Sequence, residues 1–419
     1  MVEEGARLRA LRGTYDLLPP QSWTAQGLER LALDAFAGAG YAPVETPAFE
    51  HTEVFSRGVG EASEVVTKQM YTFTDRGGRS LTLKPEGTAP VMRAVLEHGL
   101  DRGPLPVKLA YADSFFRQER PQKGRHRQLH QVGIEAIGAD DPAVDAEVIE
   151  IGTRYLADAV GGARLVLNSI GHLDRSCRLG YLEVLVEYLE RRSDDLAPED
   201  RERAGVNPLR AFDSKESQTI AALQGAPLIS DHLCAACKEH FESVQTLLHD
   251  VGVAYDLEPR LVRGLDYYTR TAWEWVSADL GAQTSVGGGG RYDGLSEQLG
   301  GPPLPGIGFA IGLDRLLLLA ESREPPRPVA VYAVALGDEA RRSVFSIVTQ
   351  LRASGVGADL DFAGRAMKGQ MKDAARSGAR WAVIVGADEI ASGRATVKDL
   401  RSGEQEEVPF DRLVERLRP

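Results

Sequence analysis

The stretch SFFRQERPQKGRHRQLHQVGIEAIG, residues 114–138, packs a run of cations into one short loop between two patterned flanks. Between positions 117 and 127 the cations Arg117, Arg120, Lys123, Arg125 and Arg127 stand against a single acid, Glu119. The chain as a whole is acidic, with 49 Lys+Arg against 61 Asp+Glu and a formal net charge of −12. A general nucleic-acid coat is basic over its whole surface, so any polyanion here has to be met by a local patch. A charged hairpin tip is ordinarily just solvated, but the flanks of this one add chemistry. Gln131 and Glu135 lie four residues apart on the returning strand and so share a face, while Arg117 sits on the outgoing side. A guanidinium beside an amide and a carboxylate makes a polar pocket. It can hold a phosphate at one end and an ammonium or imidazole at the other.

Other segments add candidates. In TLKPEGTAP, Glu86-Gly87-Thr88 sits at a strand-to-helix transition, with Thr88 placed to N-cap the helix and Pro90 in its first turn. It reads first as a capped turn, and a carboxylate and hydroxyl there can also bind an α-ammonium group. In LVRGLDYYTRTAWEW, Arg263 beside Gly264 can approach a ligand closely, and the pair Tyr267-Tyr268 reads first as core or sheet surface. SVGGGGRYDGL has four successive glycines that fit no dinucleotide fingerprint; in a strand they let a flat substrate lie on bare backbone. No Gly-Lys dipeptide occurs, which excludes a Walker A loop. A bound triphosphate therefore has to be held by arginine side chains, with Arg117, Arg125, Arg263 and Arg315 as the candidates. HLCAACKEH spaces His232, Cys234, Cys237 and His240 as a possible zinc site, but it equally reads as a helix start, and no metal held by protein ligands alone is assigned to it.

These residues need elements to carry them. A chain of 419 residues exceeds one ordinary core and implies two or three domains. The break falls at the proline-rich stretch 321–328. Domain 330–419 alternates strand and helix patterns and reads as a small α/β domain with a mixed sheet. Residues 1–325 read as α+β. A helix covers 23–39, an extended segment broken by Pro43 and Pro47 reaches Phe55, and a hairpin turns at Gly77-Gly78. An antiparallel pair then flanks the basic loop, and a helical insertion covers about 172–255. Apolar 306–320 closes this part. No run approaches the ~18 apolar residues of a membrane span, and the acidic start lacks the apolar segment of a secretory signal. Three cysteines make no disulfide framework, which fits a reducing cytosol.

Taken in order, RGTYDLLP, TLKPEGTAP, FRQERPQKGRHRQLHQVGIEAIG, NPLRAFDSK, LVRGLDYYTRT, GGGGRYDGL and GIGFAIGLDRL resemble the histidyl-tRNA synthetase family of class II synthetases over essentially the full chain. The resemblance implies an antiparallel-sheet catalytic domain with a helical insertion, and an α/β anticodon-binding domain at 330–419. It implies a cytoplasmic homodimer built near 41–60, acting on L-histidine, ATP with Mg²⁺, and tRNA(His). Glu86, Thr88 and Gln131, with Gly87 beside them, are expected at the amino group. Glu135 and Tyr268 are expected at the imidazole, with Tyr267 and Tyr292 lining its pocket. Arg117 and Arg263 are expected at the α-phosphate, with Glu119, Arg125 and Arg315 around the rest of ATP. Gln122, Lys123 and Arg127 are expected at the tRNA acceptor end. His126 and Leu129 depart from the family, which commonly has Tyr and Phe there, the second stacking on adenine. The rival reading is a synthetase-like regulatory subunit of histidine biosynthesis. Such proteins usually lack the C-terminal domain and degrade the RGLDYY segment, and both are present here. A pure RNA-binding module leaves Glu86, Gln131 and Glu135 without a task.

Overall fold

The computed structural model describes residues 8–60, 65–263, 265–281, 284–320 and 329–418. It divides into two compact units, Met1–Arg323 and Glu324–Pro419. The proline-rich stretch 321–328 lies outside the described residues.

The first unit is built on an eight-stranded sheet. Its strands are β1 (Ala42–Pro43), β2 (Val107–Phe116), β3 (Gln128–Ile137), β4 (Arg164–Ser169), β5 (Asp256–Leu257), β6 (Thr269–Val276), β7 (Ser285–Arg291) and β8 (Gly306–Gly312), in the order β1-β2-β3-β8-β7-β6-β4-β5. The six inner strands pair antiparallel, and only the two short edge strands pair parallel. The expected hairpin runs in register from Val107↔Ile137 to Phe116↔Gln128, so the basic loop 117–127 projects from its end.

Strand alternation separates the two faces. Val132, Ile134 and Ala136 of β3 point into a core with Trp273, Trp275 and Phe309, where the Trp275 and Phe309 rings stand edge to face at 5.2 Å. Helix α1 (Gln21–Gly38) covers this face with Leu28, Ala32 and Phe36, spaced four apart along one stripe. Helix α2 (Thr88–Glu97) packs Val91, Met92 and Val95 on the opposite face, beside Tyr111 and Phe115 of β2. Helix α3 (Pro142–Val160) returns to the first face; the Asp141 side chain accepts from the Ala143 N–H at 2.8 Å, and Pro142 opens the helix.

Between residues 172 and 255 every described element is helical, from α4 (Arg178–Arg191) to α5 (Ala235–Asp250), around a small core of Tyr181, Leu185, Leu209, Leu223 and Ile229. One local expectation fails. Thr52–Val59 is a helix, not extended chain, because Phe55 and Val59 follow the helical period and are buried together against Ala89 and Leu295.

The second unit has the mixed sheet expected of it. Val331–Ala335 pairs parallel with Ala358–Leu360 and with Trp381–Val385, which continues antiparallel to Arg394–Asp399 and Gln405–Pro409. Val331 and Ala333 face the helix Asp338–Ala353, while Tyr332 and Val334 face Ala374 of Met367–Ser377. Among the described residues no helix is long and apolar enough to cross a membrane.

Candidate active site

A cleft of about 450 Å³ opens between the start of α2, the sheet face around β3, β7 and β8, and the basic loop. Its inner end is built on carboxylates. The Glu86 side chain accepts from the backbone N–H of Thr88 at 2.7 Å and of Ala89 at 3.0 Å. Glu86 therefore caps α2, and Thr88, expected as the cap, is the first helical residue. A carboxylate suits the positive end of a helix, and an acid two residues before the helix start is easily read as a bystander. Freed from capping, the Thr88 hydroxyl donates to Glu135 at 2.8 Å.

Glu135 also accepts from Tyr292 at 2.5 Å and from Tyr111 at 3.4 Å. Glu135 is fully buried, and Tyr292 nearly so, under the cleft floor. Burial pushes the Glu135 carboxyl up to about 8, against the opposing pull of hydrogen bonds from Tyr292 and Thr88. Burial raises Glu86 as well, although the N–H groups of Ala89 and Thr88 and the charge of Arg117 oppose it. Tyr267 donates to Glu86 at 3.3 Å and packs edge-on to Tyr268 at 4.7 Å, with Tyr292 behind it at 5.9 Å.

The glycine-rich strands make this crowding possible. On β8, a Cβ at Gly308 would collide with the Glu135 carboxylate. On β7, a Cβ at Gly288 would come within 2.9 Å of the Arg263 guanidinium, and one at Gly290 within 2.6 Å of the Tyr268 ring. The bare backbone thus makes room for the protein's own side chains on this face, and Gly287 and Gly288 also line the cleft.

The outer end is guanidinium chemistry. Arg117, Arg125, Arg263 and Arg315 all line the cleft. Arg117 donates to the Pro85 carbonyl at 2.8 Å and lies 3.8 Å from Glu119, which also pairs with Arg125. Arg263 pairs with Glu274 and lies over the Tyr268 ring at 5.6 Å. Arg315 donates to the Ser285 carbonyl; burial and the nearby charge of Arg125 lower its pKa, as expected where cations are crowded. Gly264, next to Arg263, lies outside the described residues.

The structure gathers Glu86, Gly87, Thr88, Gln131, Tyr267, Tyr268, Glu119 and the four arginines on one cleft, with Glu135 and Tyr292 beneath. His126 and Leu129 line the same cleft, and the His126 ring lies 4.5 Å from Tyr15. Gln122 and Lys123 are exposed at the loop tip, where Gln122 and Arg125 close a tight turn through their backbones. Arg127 does not join them. Its backbone N–H donates to Gly13 at 2.7 Å and its Nε to the Glu119 carbonyl at 3.3 Å, so it ties the N-terminal segment to the loop.

The H-x-C-x-x-C-x-x-H spacing does not become one four-residue cluster. His240 bonds Asp145 at 2.9 Å in a buried network with Arg291 and Thr271, and His232 lies against the Tyr181 ring. Several cleft residues went unread in the sequence. Tyr111 faces the site because it alternates with core-facing Ala110 on β2, and Glu274 because it alternates with Trp273 and Trp275 on β6. Asp213 and Lys215 reach the cleft from NPLRAFDSK of the insertion.

A family model described as histidyl-tRNA synthetase matches residues 13–316, and one described as an anticodon binding domain matches 329–419. The chain belongs to the histidyl-tRNA synthetase family. A histidine–tRNA ligase of Rhodococcus erythropolis is 51% identical over 423 residues, 99% of each chain. One of Corynebacterium kroppenstedtii is 50% identical over 417 residues, 98% of this chain and 97% of that one. The solved apo histidyl-tRNA synthetase of Staphylococcus aureus superposes with a TM-score of 0.80 at 36% identity, covering 98% of this chain and all of that one. A Bacillus halodurans chain described as an ATP phosphoribosyltransferase regulatory subunit/histidyl-tRNA synthetase reaches 0.65 at 22% identity, over 90% of this chain and 97% of that one. That likeness shows the fold alone. A histidyl-tRNA synthetase core with an anticodon-type C-terminal unit is an enzyme architecture, and full-length identity near one half favours ligase over regulatory subunit.

Proposed function

We propose that the chain is a histidine–tRNA ligase whose cleft activates L-histidine with ATP and then charges tRNA(His). The supporting observation is the convergence of four arginines and a sealed carboxylate–tyrosine floor on one cleft. L-histidine lies over the floor. Its ammonium is held by Glu86, Thr88 and Gln131, and its imidazole lies between Tyr268 and Glu135. The bond from Tyr111 to Glu135, the longest of the three at 3.4 Å, is the one an imidazole N–H displaces. A pocket read through buried hydrogen bonds rejects analogues by ~10⁴-fold or more, because the wrong side chain leaves them unpaired.

ATP lies toward the loop, with Arg117 and Arg263 on its α-phosphate and Arg125 and Arg315 on its outer part. Leu129 gives adenine an apolar contact opposite Arg315. The histidine carboxylate attacks the α-phosphorus, the bond to the β-phosphate oxygen breaks, and pyrophosphate leaves. Positioning and charge neutralisation carry such a step, and a guanidinium suits it because it stays protonated. Glu119 and Glu274 line the cleft among these arginines and are oxygen donors of the kind Mg²⁺ takes, shared with phosphate oxygens. An ion held there would supply further neutralisation of the outer phosphates. A hydroxyl of the terminal ribose of tRNA, approached by Gln122 and Lys123, then attacks the acyl carbon of the adenylate, so the histidyl group passes to tRNA and AMP leaves, while domain 330–419 meets the anticodon.

We read the protein as a cytoplasmic homodimer. Phe49 and Phe73, both exposed with rings 6.4 Å apart, support pairing near 41–60, and three unbridged cysteines fit a reducing compartment. Purified protein should exchange labelled pyrophosphate into ATP with histidine alone among the twenty amino acids. Exchange with a different amino acid, or with none, would overturn the reading.

A further inference from the structure

We infer that the root of the helical insertion is a structural zinc site, with His172, Cys177, Cys234 and Cys237 as its ligands. One potential ligand atom from each residue lies within 4.8 Å of all the others. They include every cysteine of the chain, and none forms a disulfide. Tetrahedral zinc holds thiolate at about 2.3 Å and imidazole at about 2.0 Å, which sets ligand atoms roughly 3.5–3.8 Å apart. His172 Nδ1 already stands 3.1 Å from Cys237 Sγ and 3.7 Å from Cys234 Sγ. The ligands come as two knuckles distant in sequence, His172/Cys177 and Cys234/Cys237, the usual arrangement of a closed structural site.

Local backbone is shaped to the sulfurs. The Cys237 N–H points to Cys234 Sγ and the Cys234 N–H to Cys177 Sγ, each at 3.5 Å, and such outer donors stabilise thiolate ligands. Gly171 takes a φ of +64°, and a Cβ there would come within 2.7 Å of Cys177 Sγ, so only glycine lets this turn close onto the cluster. Cys177 and Cys237 are each 1% exposed. Cys177 immediately precedes α4 and Cys234 caps α5, so one ion joins the first and last helices of the insertion. Arg178, next to Cys177, donates to the Tyr268 carbonyl at 2.6 Å, which connects the site to the cleft wall.

The test is elemental analysis of full-length protein purified from zinc-supplemented cells, followed by chelator stripping and refilling with Co²⁺. One zinc per chain is expected, with the visible bands of tetrahedral cobalt and a thiolate-to-cobalt charge-transfer band after refilling. Cys237→Ser should weaken zinc by at least ~10- to 100-fold, whereas His232→Ala, inside the linear motif but outside the cluster, should keep it. The cobalt spectrum is read on the unaltered chain, so it decides even if Cys237→Ser does not fold. Three freely titrating thiols without metal, a Cys234–Cys237 disulfide, or zinc lost in His232→Ala would overturn the assignment.

Discussion

The two ends of the cleft solve opposite problems. At the inner end every carboxylate oxygen of Glu86 and Glu135 has a partner, and Glu135 has no exposed surface. At the outer end the guanidiniums are only partly covered, and Arg125 keeps more than a third of its side chain exposed while sharing Glu119 with Arg117. A ligand read by hydrogen bonds needs a rigid, dry partner set, because an unpaired buried group is costly. A triphosphate needs positive charge whose internal carboxylate partners can be replaced by phosphate oxygens. On the proposed reading, this contrast makes selectivity and rate separable by residue.

Breaking the outer end should cost most. Arg263→Ala is expected to slow adenylation by about 10²- to 10³-fold, as loss of a preorganised cation at the reacting phosphate; single-turnover quench-flow checks this, and an unchanged rate would move the α-phosphate role elsewhere. At the inner end, Glu135→Gln should raise the histidine KM by about 10- to 100-fold, because an amide NH2 in place of a carboxyl oxygen leaves a buried donor unpaired. Arg315→Ala should raise the ATP KM by roughly 10-fold, with the histidine KM unmoved. Lys123→Ala should change tRNA charging only a few-fold and flatten its salt dependence by about one unit of slope, leaving pyrophosphate exchange intact.

A separate effect concerns pH. The Glu135 carboxyl sits at about 8 in the folded chain against an ordinary 4.5. Between those values the folded state keeps a proton that the unfolded state has released, so stability falls as pH rises through that window. Glu135→Gln removes this contribution. Its melting temperature should fall less than that of the unaltered chain across the same window, and a parallel fall would show that Glu135 titrates normally.

Much of this was legible in the sequence because it is local. The β2–β3 hairpin follows from strict alternation around a charged connection, and the second unit from its alternating strand and helix periods. The arginine set followed from the missing Gly-Lys loop. What escaped depends on contacts between distant residues or on competing local readings. Glu86 displaced Thr88 as the cap because its carboxylate reaches two N–H groups at once. Tyr111 matters only because β2 lies beside β3. His172 and Cys177 could not be paired with Cys234 and Cys237 until the insertion folded back on its own root.

The most direct test is a cross-titration by calorimetry, with histidine and a non-hydrolysable ATP analogue each titrated separately into the unaltered chain, Glu135→Gln and Arg315→Ala. Division of labour within one cleft predicts that Glu135→Gln weakens histidine alone and Arg315→Ala weakens the nucleotide alone. If each substitution weakened both ligands equally, the two ends would not be separate sites and the account would fail.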